Sequence, residues 1–160
     1  MVTIRPILLK DDAAIASIIF ASLESYGLDK PGTVYTDAST KQLSTLFTTP
    51  LSGYLVAEED GEILGGCGVF PTPELPEGTA ELVKMYVDAA HRGKGLGTKL
   101  VLAAEHLALS LGYSRLYLES FPNLKEAISL YKKLGFNIID GREGNSCHYE
   151  CDVFMQKKIA

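Results

Sequence analysis

The feature that most constrains this chain is a glycine-spaced turn, His91-Arg92-Gly93-Lys94-Gly95-Leu96-Gly97-Thr98, set between a strand-patterned segment and an amphipathic helical one. Upstream, residues 80–87 (AELVKMYV) read as a strand. Downstream, Leu96, Leu100, Ala103, Ala104, Leu107 and Leu111 recur at helical spacing until Gly112 ends the run. A strand that feeds a helix this way begins a crossover, so the next strand is expected to lie parallel to the first. Gly93, Gly95 and Gly97 let the backbone take positive φ and approach a ligand closely. Their amides then converge on a helix N-terminus, where the macrodipole favours an anion, and Arg92 and Lys94 add charge suited to a diphosphate.

Two better-known phosphate loops do not fit. A dinucleotide fingerprint needs glycine where Thr98 stands, and a P-loop needs Gly-Lys-Ser/Thr where the order here is Gly97-Thr98-Lys99.

The rest of the chain supplies a mixed α/β pattern. Residues 2–5 read as a short strand, followed by a helix behind the acidic pair Asp11-Asp12 and ended by Gly27. A loop with Pro31 and Gly32 leads to a shorter helix over residues 39–47. Residues 54–58 and 63–70 flank Asp60-Gly61, a strong hairpin signal. After the long helix come a strand at 115–119, a helix at 124–134 stopped by Gly135, and strands at 136–139 and 152–155. The expectation is α/β: a mixed, mostly antiparallel sheet flanked by helices, one domain over residues 1–160.

Composition narrows the partners. The net charge of −5 offers no broad cationic surface, which argues against nucleic acid. The most apolar stretch, residues 13–23, is too short for a membrane span, and the N-terminus is broken by Arg5, Pro6 and Lys10, unlike a secretory signal. Cys67, Cys147 and Cys151 read as free thiols in a reducing, cytoplasmic setting. Cys147, His148 and Cys151 lack a fourth ligand and a second ligand pair, so no metal is expected.

Arg92-Gly93-Lys94-Gly95-Leu96-Gly97 resembles the acyl-CoA pyrophosphate loop Q/R-x-x-G-x-G/A of the GNAT N-acetyltransferase superfamily. Glu81-Leu-Val-Lys-Met-Tyr-Val87 resembles that superfamily's fourth strand, and Ala127-Ile-Ser-Leu-Tyr-Lys-Lys-Leu-Gly-Phe136 its A-x-x-L-Y-x-K-x-G-F segment. The element order agrees, so the resemblance covers most of the chain. It implies acetyl-CoA as cosubstrate, its diphosphate on residues 92–98, its pantetheine along a bulged strand at Met85, Tyr86 and Val87, and direct transfer to a primary amine in a ternary complex.

The chemistry calls for a base to deprotonate the amine, donors for an oxyanion, and an acid for the leaving thiolate. Glu81 is the candidate base: strand parity puts it on a face with Val83, Met85 and Val87, where poor solvation raises a carboxyl pKa. The plain alternative is a solvated carboxylate at a strand start. Tyr131 is the candidate acid, and it also falls on the Leu124, Ala127, Ile128, Leu134 packing stripe. The family often has Asn three residues before the position of Ala127; here that place is Leu124, with Asn123 one residue earlier as a helix cap.

For the acceptor side, Tyr35, Asn145 and His148, with Tyr26, are candidates set against ordinary packing or surface roles. The acceptor is expected to be an amine on a small molecule or peptide. A protein N-terminus or lysine, or a CoA-binding module without catalysis, stays open, as does a homodimer through the C-terminal strands.

Overall fold

A computed structural model describes residues Met1–Ala160. The elements in order are β1 (Thr3–Pro6), α1 (Asp12–Ser25), 3-10 turns at Val34–Thr36 and Ala38–Gln42, α2 (Leu43–Leu46), β2 (Gly53–Glu59), β3 (Glu62–Phe70), β4 (Thr79–Val87), α3 (Leu96–Ser110), β5 (Arg115–Ser120), α4 (Lys125–Lys133), β6 (Asn137–Ile139) and β7 (Val153–Lys158). The strands form one sheet in the order β1-β2-β3-β4-β5-β7-β6. Every pair is antiparallel except β4 and β5, which are parallel across the α3 crossover. The expected mixed, mostly antiparallel sheet is the one observed, and no helix is long and apolar enough to cross a membrane.

Two cores sandwich the sheet. On one face α3 and α4 set Leu100, Val101, Ala104 and Tyr131 against Val69, Leu82, Leu116 and Met155. On the other, α1 and α2 set Ile15, Ile19, Leu23 and Leu43 against Tyr54, Val56 and Phe121. The β2–β3 turn uses Asp60 at φ 52° and Gly61 at φ 82°, the two left-handed residues a tight hairpin needs.

Three local expectations change. Asp11 and Asp12 do not cap α1 through their side chains. Both are buried: Asp11 takes a two-pronged bond from Arg5 at 2.7 and 3.0 Å, and Asp12 accepts from the Ser44 amide and hydroxyl. An interior carboxylate beside such donors is worth more as a tertiary tie than as a cap. The helix expected over residues 39–47 is a 3-10 turn followed by the single turn of α2, because Thr40 Oγ1 donates back to Val34 O and tightens the chain. The last strand is longer than read, since Gln156–Lys158 continue pairing with β5.

β4 departs most from a regular strand. Gly66 pairs with Tyr86 and Gly68 with Val83, so two residues, Lys84 and Met85, oppose Cys67 alone. Lys84 takes φ 51° there. The parallel pairing with β5 stops at Glu81 and Tyr117. Beyond that point the two strands diverge, and the gap between them is the site.

Candidate active site

The bulge decides which residues share a face. Parity alone put Glu81 with Val83, Met85 and Val87. In the structure only Val83 stays on the α1 side with Tyr86, while Met85 and Val87 turn to the α3 side with Leu82. The extra residue at Lys84 shifts the alternation by one.

Two cavities meet at the gap. The first is lined by Ser22, Tyr26, Met85, Tyr86, Val87, the glycine turn and α4. Its lining includes Arg92, Gly93, Gly95, Leu96, Gly97 and Thr98; Lys94 is exposed and lies outside it. Gly95 holds φ 80° at the N-cap of α3 with no side-chain cap, and the first helical bond runs from Lys99 N–H to Gly95 O. The amides before Lys99 therefore face the cavity without intrahelical acceptors, the donor set an anion needs.

Arg92 lines this cavity and is also held by protein partners. Its Nε donates to Val87 O at 3.0 Å, its Nη2 to Ser22 Oγ at 3.0 Å, and the guanidinium lies over the Tyr26 ring at 6.0 Å. It ties the end of β4 to α1 at the cavity wall. Asn123 neither caps α4 nor lines this cavity: its amide donates to Tyr26 O at 3.1 Å.

The second cavity shares Leu23, Met85, Tyr86, Leu124 and Ala127 with the first and adds Glu81, Lys84, Glu119, Tyr131 and His148. Glu81 is 4 % exposed. Burial raises its carboxyl pKa to about 7; the hydrogen bond from Thr72 Oγ1, at 2.5 Å, opposes that rise and the neighbouring Glu119 adds to it. Tyr131 is buried, its ring edge-on to Phe136 at 5.7 Å, and burial pushes its phenol above the ordinary value, so the hydroxyl keeps its proton.

A polar network surrounds Glu81. Glu119 accepts from Arg142 at 2.8 Å, Ser146 at 2.6 Å and Tyr117 at 2.6 Å. Asp37 Oδ2 meets both His148 Nε2 at 2.7 Å and Lys84 Nζ at 3.0 Å. Burial opposes ionisation of Asp37, but His148 and Lys84 outweigh it and hold the carboxyl below its ordinary value. Glu81, Glu119 and His148 bring ligand-type atoms within 4.8 Å of one another. Their oxygens already accept from Thr72, Arg142, Ser146 and Tyr117, donors that a metal ion would have to displace.

Of the acceptor-side candidates, His148 enters this cavity, while Tyr35 and Asn145 line neither one. Tyr35 donates to Glu24 and packs on Phe20, and Asn145 accepts from the Cys147 amide. Tyr26 lines the first cavity instead. Thr72, Asp37, Glu119 and Lys84 were missed. Parity along β5 signals Glu119, which shares the Tyr117 face; nothing local in Pro71-Thr72-Pro73 marks Thr72 as a partner of Glu81.

The comparisons agree with this architecture. A chain of Staphylococcus aureus Mu50 described as an acetyltransferase of the GNAT family superposes with a TM-score of 0.86 at 16% identity over 100% of both chains. YncA of Salmonella typhimurium, solved with its cofactor acetyl-CoA, superposes with a TM-score of 0.76 at 22% identity, covering 100% of this chain and 95% of that one. In sequence, the Escherichia coli N-acetyltransferase YjgM, itself uncharacterized, is 41% identical over 157 residues, 97% of this chain and 93% of its own length. The acetyltransferase (GNAT) family profile matches residues 17–136, and with three quarters of its length inside that match the chain belongs to the GNAT family of acetyltransferases.

Proposed function

We propose that this protein transfers an acetyl group from acetyl-CoA to a primary amine of a small molecule or peptide, directly and within a ternary complex. One observation carries the reading: the candidate base Glu81 and the candidate acid Tyr131 line one cavity, and that cavity shares Met85, Tyr86, Leu124 and Ala127 with the one below the glycine turn. The free amides at the start of α3 fit a diphosphate. The diverging edge of β4 has backbone groups that β5 does not use, which fits an extended pantetheine arm.

Acetyl-CoA supplies the activated thioester. Glu81, with a pKa near neutrality, removes a proton from the acceptor ammonium. Backbone amides of the bulged segment, around Met85 to Val87, are the donors this reading assigns to the oxyanion. Tyr131 gives its proton to the departing sulfur.

The segment after α1 is tied to the segment before β7. Glu150 N–H bonds Gly32 O at 3.2 Å, Lys30 pairs with Glu150 at 3.4 Å, and Gly32 has no Cβ where the Tyr149 ring lies.

The test is release of free CoA thiol from acetyl-CoA on a panel of amino acids, alkylamines, polyamines and short peptides. Amine-dependent release that drops in Glu81→Gln and Tyr131→Phe supports the reading. Tight CoA binding with no amine-dependent release on the whole panel points to a binding module.

A further inference from the structure

Glu81 is buried, and exposure rises from it through His148 to Asp37. Glu81 is 4 % exposed. The His148 side chain is 13% exposed and that of Asp37 is 26% exposed. His148 offers a ring nitrogen within 4.8 Å of a Glu81 oxygen, a gap that one water spans with two hydrogen bonds. Its Nε2 meets Asp37 Oδ2 at 2.7 Å. Asp37, kept ionised by His148 and Lys84, fixes the ring's orientation, the role a carboxylate plays behind a proton-carrying imidazole.

The other groups facing Glu81 are less suited to carrying a proton. Glu119 on β5 is saturated by Arg142, Ser146 and Tyr117. Lys84 on β4 is a donor already bound to Asp37. Tyr117 donates to Glu119, and burial pushes both its phenol and the Cys151 thiol well up, the latter to about 12. Thr72 donates to Glu81 and leads nowhere further.

We propose that His148, positioned by Asp37, carries the proton from Glu81 out to solvent during acetyl transfer. This rests on the reading of Glu81 as base. The balance is simple. Ammonium plus thioester gives amide, thiol and one proton, and no electrons change hands. Two N–H bonds of the acceptor break: the first proton forms an O–H bond on Glu81, and the second, lost after attack on the thioester, restores the Tyr131 hydroxyl that protonated the sulfur. The proton on Glu81 then passes through one water to the His148 ring, restoring the Glu81 carboxylate, and the imidazolium gives up a proton to solvent and returns to its neutral form. His148 is thus a relay and Asp37 a positioning residue.

The test uses acetyl-CoA and whichever amine of the panel above is turned over fastest. His148→Gln keeps a donor for Asp37 but cannot shuttle a proton; kcat is expected to fall roughly tenfold to a hundredfold with little change in KM for acetyl-CoA. His148→Ala falls similarly, and added imidazole restores a large part of its rate while leaving His148→Gln unchanged. A merely structural role for the ring gives no such rescue. His148→Gln at the unmodified kcat, or His148→Ala that imidazole does not accelerate, overturns the proposal. If Glu81→Gln keeps full activity, the base assignment falls and the relay with it; if Glu81→Gln is inactive while His148→Gln is fully active, only the relay falls.

Discussion

The phenol of Tyr54 donates a hydrogen bond to the backbone carbonyl of Lys84 at 2.7 Å, across the width of β3. The reach is open because β3 carries glycine where the ring passes: a Cβ on Gly66 or Gly68 would collide with Tyr54. Lys84 is the left-handed residue of the β4 bulge, so this bond secures the strained point that turns Met85 and Val87 away from the Glu81 face. Tyr54→Phe keeps the packing but leaves a buried carbonyl without its donor, at about 1–3 kcal/mol. The expected outcome is a lower melting temperature and a kcat that falls more than CoA affinity. An unchanged kcat would show that the bulge holds its shape without the bond.

Thr72 acts on Glu81 in a measurable direction. Its hydroxyl donates to the ionised carboxyl and so pulls down a pKa that burial has raised to about 7. Without that donor the pKa moves further up, and the acid limb of the kcat/KM profile moves to higher pH. Thr72→Val should show the shift and Thr72→Ser should reverse it, read from thiol release across the pH range. A profile identical in all three proteins would separate Glu81 from the titration that controls the rate.

Much of this was legible in the residues, and the reasons for the rest are physical. The hairpin at Asp60-Gly61, the parallel neighbour across α3 and the glycine turn follow from local chemistry that the fold does not override. Glu81 and Tyr131 were nominated separately, and the structure brings them to one cavity. The bulge was invisible to parity because it is imposed by tertiary partners: Tyr54 from β2 and the flat glycine run of β3. For Arg92 the sequence shows charge but not direction: it lines the glycine-turn cavity, and its guanidinium is also held by Val87 O and Ser22. Thr72 and Asp37 lie on loops, where no periodicity reports which way a side chain points.

The burial that raises the Glu81 pKa has a stability consequence. Its folded value is about 7 against an ordinary 4.5, so this group stabilises the fold relative to an ionised one below about pH 4.5, and that contribution is lost as pH rises through 7. Above neutrality the folded state holds a buried charge. Glu81→Gln removes it while keeping an oxygen to accept from Thr72. The variant should therefore melt higher than the parent at about pH 8, with a gain of up to roughly 3 kcal/mol, and the difference should close as pH falls toward 4.5. Thermal melts at several pH values check this, and a gap that does not depend on pH would argue against a perturbed carboxyl here.

Gly95 and Gly97 should differ in stability when each receives the same added methyl group. Gly95 sits at φ 80° with open space around its absent Cβ, so Gly95→Ala costs backbone strain alone, about 1–2 kcal/mol. Gly97 has no left-handed φ and stands in the first turn of α3, where alanine is the better helix former by roughly 1 kcal/mol; its Cβ would meet Leu130 Cδ2 at 3.0 Å, the end of a side chain that can turn aside. Thermal melts are expected to show a clear loss for Gly95→Ala and a small change of either sign for Gly97→Ala. CoA affinity, measured by calorimetry, should fall in both, because each methyl group stands among the amides proposed to hold the diphosphate. A Gly97→Ala protein that binds CoA normally would mean that the diphosphate lies nearer Gly93 and Gly95 than the helix start.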